Sequence, residues 1–261
     1  PGQMAKAMIA GGLRGDSFRL DQVMLCGSSA DACRRHQQEW PAAAITASPS
    51  ELLASCRRVV LSVKPPVLRQ LFPTLRPLVT DAHLLVSVAA GLGLEQLIEG
   101  LGTGRLIRVM PNTPSQVGEG ASGVVWGPAV TEQDRHWAQG LLAGLGSYEE
   151  VSDEQMHAVT ALSGSGPAYV LMLIEALSDA GLAEGLPRAT AHRLAVQTVL
   201  GTAELVRQSG EHPARLREQI TSPAGTTIAA VEALESAGLR SAIWQAVRAA
   251  AARSRQLGRG G

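Results

Sequence analysis

The sequence predicts an α/β, Rossmann-like dinucleotide-binding domain followed by an all-α C-terminal domain that pairs two copies of the chain. Three observations carry this reading. Residues 1 to about 150 alternate short β-branched runs with helical stretches, the pattern of a parallel sheet wound with helices. After Val151 no convincing strand remains, and alanine and leucine dominate. Turns of small and hydroxyl residues stand at the ends of the predicted strands and before two of the predicted helices, where open α/β sheets and helix N-termini receive ligands. Residues 1–151 are therefore assigned to the nucleotide-binding domain and residues 152–261 to the helical one, with a site expected between them.

Composition narrows the function. At 261 residues the chain is long enough for two domains and a large core. Lys plus Arg equals Asp plus Glu at 23 each, which argues against a nucleic acid as the main partner. Cys26, Cys33 and Cys56 have no CxxC spacing, and the six histidines are scattered, so no metal site is expected. No apolar run of membrane-spanning length and no signal peptide is read. The expectation is a cytoplasmic protein with no membrane partner.

The first half begins with Pro1-Gly2-Gln3-Met4 and a helix from Ala5 to about Leu13. Glycine at a helix start matches the phosphate-binding turn of a Rossmann unit, so Pro1, Gly2, Gln3 and Met4 are cofactor-binding candidates. The strand that normally precedes such a helix is not in the sequence. An upstream strand and turn, on the order of 6–10 residues, is expected. Val23 to Cys26 reads as the next strand and ends in Gly27-Ser28-Ser29, with Asp31, Arg34 and Arg35 close behind. An acid at this tip selects the ribose of NAD, whereas hydroxyls and arginines suit a 2′-phosphate. Ser29 and Asp31 are candidates here, and the balance favours NADPH with NADH as the alternative.

Ala43 to Thr46 is a weak strand, and Ser48-Pro49-Ser50-Glu51 starts a helix with a cap, a proline and an acid in order. Val59 to Val63 is a continuous apolar run of the buried parallel type, closing on Lys64-Pro65-Pro66. Leu84 to Val88 repeats it and closes on Ala89-Ala90-Gly91. Leu106 to Met110 closes on Pro111-Asn112-Thr113-Pro114. Three such loops at successive strand tips describe a cofactor crevice, with Val63, Lys64, Pro65, Ala89, Ala90 and Asn112 as candidates. Gly123 to Trp126 and Glu149 to Val151 read as edge strands around a helix at about 131–144.

In the second half Met156, Val159 and Leu162 space as one buried helical face before Ser163-Gly164-Ser165-Gly166-Pro167, where Ser163 offers a candidate catalytic hydroxyl. Helices follow to Gly185, from Ala191 to Val206, and from about Leu239 to Arg255, with a short one after Pro213. They are alanine-rich and apolar on more than one face, so a second copy is expected to cover them. Before the helix Ile228 to Glu235 stands Thr221-Ser222-Pro223-Ala224-Gly225-Thr226-Thr227. Proline and glycine punctuate a turn there, and Thr226 and Thr227 fall where N–H groups lack partners. Such a turn suits a small carboxylate, though an ordinary helix cap explains the same residues.

Together these stretches resemble the pyrroline-5-carboxylate reductases. The matching motifs are Gly2-Gln3-Met4-Ala5, Val63-Lys64-Pro65, Ser87 to Gly91, Arg108 to Pro114, Leu162 to Tyr169 and Thr221 to Thr227. They come in the family's order over nearly the whole chain. The resemblance implies reduction of 1-pyrroline-5-carboxylate to L-proline by hydride transfer from NAD(P)H. It implies substrate contacts at Ser222, Gly225, Thr226 and Thr227, with the Thr226 and Thr227 N–H groups on the carboxylate. It places the catalytic Thr227 hydroxyl on the ring nitrogen, and matches Asp153 and Gln219 to positions near the product. It further implies a homodimer, with a larger ring as an open alternative, in which these groups approach the cofactor of the partner. Ala224 departs from the family, which has glycine there. One rival is a β-hydroxyacid dehydrogenase relative, which relies on a helical lysine; residues 152–261 contain none. The other is a catalytically idle NADP-binding regulator.

Overall fold

The computed structural model describes residues 2–259, the last by its backbone alone. Its first half contains Gln3–Arg14 (α1), Met24–Cys26 (β1), Ala30–Glu39 (α2), Ala44–Thr46 (β2), Pro49–Ser55 (α3), Arg58–Leu61 (β3), Pro65–Leu75 (α4) and Leu84–Ser87 (β4). Leu94–Leu101 (α5), Leu106–Met110 (β5), Gly120–Trp126 (β6), Glu132–Leu145 (α6) and Gly146–Glu150 (β7) follow. Every strand read from the sequence is present. β3 and β4 end one or two residues short of the apolar runs that announced them. The edge strands β6 and β7 instead start three residues earlier than expected. The local signals act as their chemistry demands. Ser48 caps α3 by accepting the Glu51 N–H, with Pro49 at the first turn. Thr131 and Asp134 form a capping box on α6.

The sheet is in two pieces. β1 and β2 pair in parallel, and a second sheet runs β3-β4-β5-β6-β7, with β5 and β6 antiparallel and the other pairs parallel. Alternate residues of its strands feed two layers of core. Leu84, Val86, Ile107 and Val109 meet α1 and α6 through Met8, Leu141, Leu142 and Leu145. Leu85 and Leu106 face the other way, onto Leu68, Leu75, Leu97 and Leu101 of α4 and α5. Between β1 and β3 the sheet is open. A cavity of about 1240 Å³ lies there, lined by Met24, Leu25, Cys26, Val59, Val60 and Leu61 and roofed by Met8 and Ile9.

Beyond Val151 the chain is helical, as expected: Met156–Val159 (α7), a π-helical turn over Thr160–Gly164, Gly166–Ala183 (α8), Arg188–Ser209 (α9), Pro213–Gln219 (α10), Thr226–Ser236 (α11) and Leu239–Arg259 (α12). By compactness, one unit takes the chain up to Ser165 together with its end from Ala250, and the other is Gly166–Ala249. The second unit has little core of its own. Ser178, Ala191 and Ala195 are buried, whereas Leu171, Met172, Leu194, Leu200 and Leu205 are each more than 50% exposed. Small residues let α8 and α9 approach closely, with a Cβ built on Gly181 lying 3.1 Å from that of Ala191. Such a helical layer keeps its apolar face dry only against another copy.

One sequence expectation is corrected here. Met156–Ala183 is a 28-residue helical stretch long and apolar enough, by length and composition alone, to cross a membrane. The Ser-Gly-Ser-Gly-Pro break interrupts the apolar run in the sequence. The structure carries the helix through that break by way of the π turn.

Candidate functional site

The strand tips of the first unit each end in a distinct chemistry. Gly2 is exposed and is the N-cap residue of α1, which has no side-chain cap and no acid in its first turn. The first N–H groups of a twelve-residue helix are thus open to an anion. Gln3 and Met4 sit on that first turn, whereas Pro1 lies outside the described residues. At the tip of β1, Ser29 caps α2 by accepting the Ala32 N–H at 3.2 Å. Asp31, in the first turn of α2, pairs with Arg34, and both are exposed. The acid and the arginine read as rivals in the sequence are therefore partners. At the tip of β3, Val63 and Lys64 are exposed and Pro65 opens α4 behind them.

The loop after β4 is built differently. Ala89 is buried and Ala90 exposed, and Gly91 takes φ +79°, a backbone region that favours glycine. The loop has no long side chain over Ala89–Gly91, so a flat ring can approach the backbone there. Asn112, at the end of β5, is not free to face a ligand. Its Oδ1 accepts the Ala121 N–H at 3.0 Å and its Nδ2 donates to the Ser163 carbonyl at 3.1 Å. Asn112 thus ties β5 to β6 and to the π turn. The Ser163 hydroxyl donates to the Val159 carbonyl at 3.1 Å, a back-bond of the kind that bends a helix. Single π turns of this kind are frequent at functional sites.

Asp153 is held by two groups. Its Oδ1 lies 2.5 Å from Nη1 of Arg108 and its Oδ2 accepts the Leu94 N–H at 3.0 Å. Arg108 begins the matched stretch Arg108 to Pro114 without a role of its own, although a guanidinium inside the apolar run Leu106 to Met110 is itself a signal.

In the second unit the hydroxyl turn has the form the sequence suggested. α11 starts at Thr226 with Gly225 as N-cap residue and no side-chain cap, and its first turn holds no acid. The hydrogen bonds of the turn run elsewhere. Thr221 Oγ1 donates to the Arg217 carbonyl at 2.6 Å, and the Gly225 N–H donates to the Ser222 carbonyl at 3.1 Å. The N–H groups of Thr226 and Thr227 are left as open donors beside two hydroxyls and that of Ser222. Gly225 is closely approached by the Ser222 side chain, since a Cβ there would lie 2.3 Å from Ser222 Oγ and that hydroxyl would have to turn away. Ala224 takes φ +54°, which a side chain tolerates poorly. Gln219 is the last residue of α10 and is exposed. Among the described residues no group of histidine, cysteine and acid side chains could hold a metal ion.

Comparison with known proteins covers nearly the whole chain. A family model described as pyrroline-5-carboxylate reductase dimerisation matches residues 153–257. One described as NADP oxidoreductase, coenzyme F420-dependent, matches residues 1–91. The pyrroline-5-carboxylate reductase of Pisum sativum is 43% identical over 256 residues, covering 98% of this chain and 93% of the relative. That of Synechocystis is 40% identical over 258 residues, covering 99% and 96%. A crystal structure of Plasmodium falciparum pyrroline carboxylate reductase with NADP bound superposes with a TM-score of 0.87 at 30% identity, covering 98% of this chain and 95% of that one.

Proposed function

Because the chain belongs to the pyrroline-5-carboxylate reductase family, we propose that it reduces 1-pyrroline-5-carboxylate to L-proline, with the work divided between the strand-tip loops and the turn before α11. The observation that carries this division is the open start of α11, where the Thr226 and Thr227 N–H groups have neither side-chain cap nor acid beside them. A carboxylate fits that place, held by N–H donors and the positive end of the helix. The Thr227 hydroxyl then stands next to the bound ring and donates to, or accepts from, its nitrogen. Ser222 and Gln219 border the same turn.

The cofactor reading is NADPH, and the first unit suits it. The uncapped start of α1 offers N–H donors for a pyrophosphate, and Ser28 and the Asp31–Arg34 pair stand at the adenosine end. Ala89 and Ala90 leave room for the nicotinamide. When bound, NADPH supplies the hydride. The chain's part is alignment, because an imine carbon that is already electrophilic needs no strong acid or base.

The chain forms a homodimer through residues of its helical half. Val117 is 74% exposed, and Leu162, on the helical face expected to be buried, is 68% exposed; both are apolar surface that assembly into a larger ring would cover. The three free cysteines support a reducing, cytoplasmic setting. The test of the substrate turn is Thr227→Val, which keeps shape and removes the hydroxyl. Loss of one such hydrogen bond is worth about 1–3 kcal/mol, so kcat/KM should fall by roughly one to two decades with NADPH affinity unchanged. Unchanged kinetics with a lower melting temperature would leave Thr227 a structural residue.

A further inference from the structure

Arg108 is 3% exposed on a strand whose neighbours Ile107 and Val109 are fully apolar. A charge buried in this way is a poor means of adding stability, since desolvation offsets most of its attraction to a partner. Its placement has another consequence. Arg108 is the register partner of Ser87, the last residue of β4. The loop 88–93 leaves the sheet immediately after that pair. Six residues on, the loop ends at Leu94, whose N–H donates to Asp153 Oδ2 at 3.0 Å. The other oxygen of the same carboxylate is on Arg108 Nη1 at 2.5 Å, and that nitrogen also reaches the Asp153 carbonyl at 3.4 Å. One ion pair therefore ties the far end of the loop to the strand that flanks its start. The clasp is close-fitting, because a Cβ on Gly93 would come within 3.0 Å of Asp153 Oδ2.

We propose that Arg108 and Asp153 are positioning residues for this loop, and that they set how tightly Ala89 and Ala90 hold the nicotinamide end of the cofactor. The proposal rests on the reading of that loop given above. It changes the role of Asp153: with both oxygens engaged, the carboxylate acts through the loop and does not meet the substrate. Arg108 is then needed to keep the carboxylate turned towards Leu94. An asparagine at 153 retains an acceptor for the Leu94 N–H but loses the charge that fixes its direction.

The experiment measures NADPH affinity by fluorescence and, separately, KM for pyrroline-5-carboxylate, on the full chain. Arg108→Met and Asp153→Asn should each weaken NADPH binding roughly tenfold, the scale on which supporting residues modulate a site. Substrate KM at saturating NADPH should stay within about twofold, since the turn before α11 is untouched. The double variant should be little worse than either single one, because both remove the same clasp. Arg108→Lys should recover part of the loss. If Arg108→Met does not fold, Asp153→Asn and Arg108→Lys decide alone. A rise in substrate KM with unchanged NADPH affinity in Asp153→Asn overturns the proposal and returns Asp153 to the substrate. Additive losses in the double variant overturn it as well. Ala90→Leu separates the two levels of the reading. If it leaves NADPH affinity intact, the loop is not the cofactor's seat. If it weakens NADPH while the Arg108 and Asp153 variants do not, only the clasp is refuted.

Discussion

Ala224 offers a direct test of how the substrate turn is held, through the substitution Ala224→Gly. The residue sits at φ +54° in the bend that leads to Gly225 and the open start of α11. For an L-residue with a side chain this conformation costs roughly 1–2 kcal/mol, because Cβ crowds the following carbonyl. Glycine removes that cost but loses about 0.5–1 kcal/mol more chain entropy on folding. Ala224 is exposed, so its methyl group gives up little packing when removed. The balance is a gain of about 0.5–1 kcal/mol, or roughly 2–3 °C in melting temperature for a protein of this size. The same change relieves the bend that aims the Thr226 and Thr227 N–H groups, so KM for the substrate should fall or hold and NADPH affinity should not move. Thermal unfolding and steady-state kinetics on Ala224→Gly and Ala224→Val give the readouts. Valine, stiff at χ1, should be worse than alanine in both. A lower melting temperature for Ala224→Gly, with Ala224→Val indistinguishable from the parent, would mean that entropy alone acts and that no left-handed residue stands in the turn.

Three further outcomes are expected. Asp134 is held at about 2, first by its hydrogen bonds to Arg105 and then by those of Thr131 against the opposing effect of burial. Its folded pKa is depressed from 3.8, so its contribution is complete above pH 4 and is lost as pH falls towards 2. Asp134→Asn should cost about 2 kcal/mol at pH 7 and flatten the acid limb of a stability-against-pH curve; an unchanged limb would refute the pairing. At the adenosine end, Asp31→Ala should free Arg34 from its ion pair and raise the preference for NADPH over NADH, while Arg34→Ala lowers it; identical cofactor ratios in both variants would show that neither side chain reads the ribose. Finally, the opening between β1 and β3 lies along an unpaired edge of each strand. An apolar β segment of about five or six residues fused ahead of Pro1 should pair with both edges and raise the melting temperature. No change in either melting temperature or NADPH affinity would mean that the two edges are closed in solution.

The fold was largely legible because its signals are local. Apolar runs of four or five residues marked most of the strands, and Ser48-Pro49 marked a helix start by chemistry that acts within one turn. The limits of β6 were not legible, because Gly120 to Ser122 are small residues whose strand state comes from pairing with β7. The same distinction runs through the site. The open helix start at Thr226 could be read, since proline and glycine punctuate the turn before an apolar helix. The engagement of Asn112 with Ala121 and Ser163, and of Asp153 with Arg108 and Leu94, could not. Each joins residues far apart in the chain, and nothing in the spacing of their own neighbours records the partner. Arg108 is the instructive omission. It lay in view inside an apolar strand, but its function is defined by a carboxylate 45 residues away.

The reaction itself explains why residue types alone say so little about this site. A reduction whose electrons come from the cofactor needs from the protein a fixed place for a carboxylate, a fixed place for a ring and little else. Backbone N–H groups meet the first need, at Thr226 and Thr227. Small side chains meet the second, at Ala89 and Ala90. Neither leaves the signature of a titrating pair or a metal ligand set. What must be exact is the path of the backbone, and several unusual features lie on it: φ +54° at Ala224, φ +79° at Gly91, the π turn over Thr160–Gly164 and a buried guanidinium paired to the carboxylate that holds the end of a loop. Selection for alignment therefore falls on residues that shape loops. A substitution at Arg108 or Ala224 should change binding constants, although neither side chain is assigned a contact with cofactor or substrate.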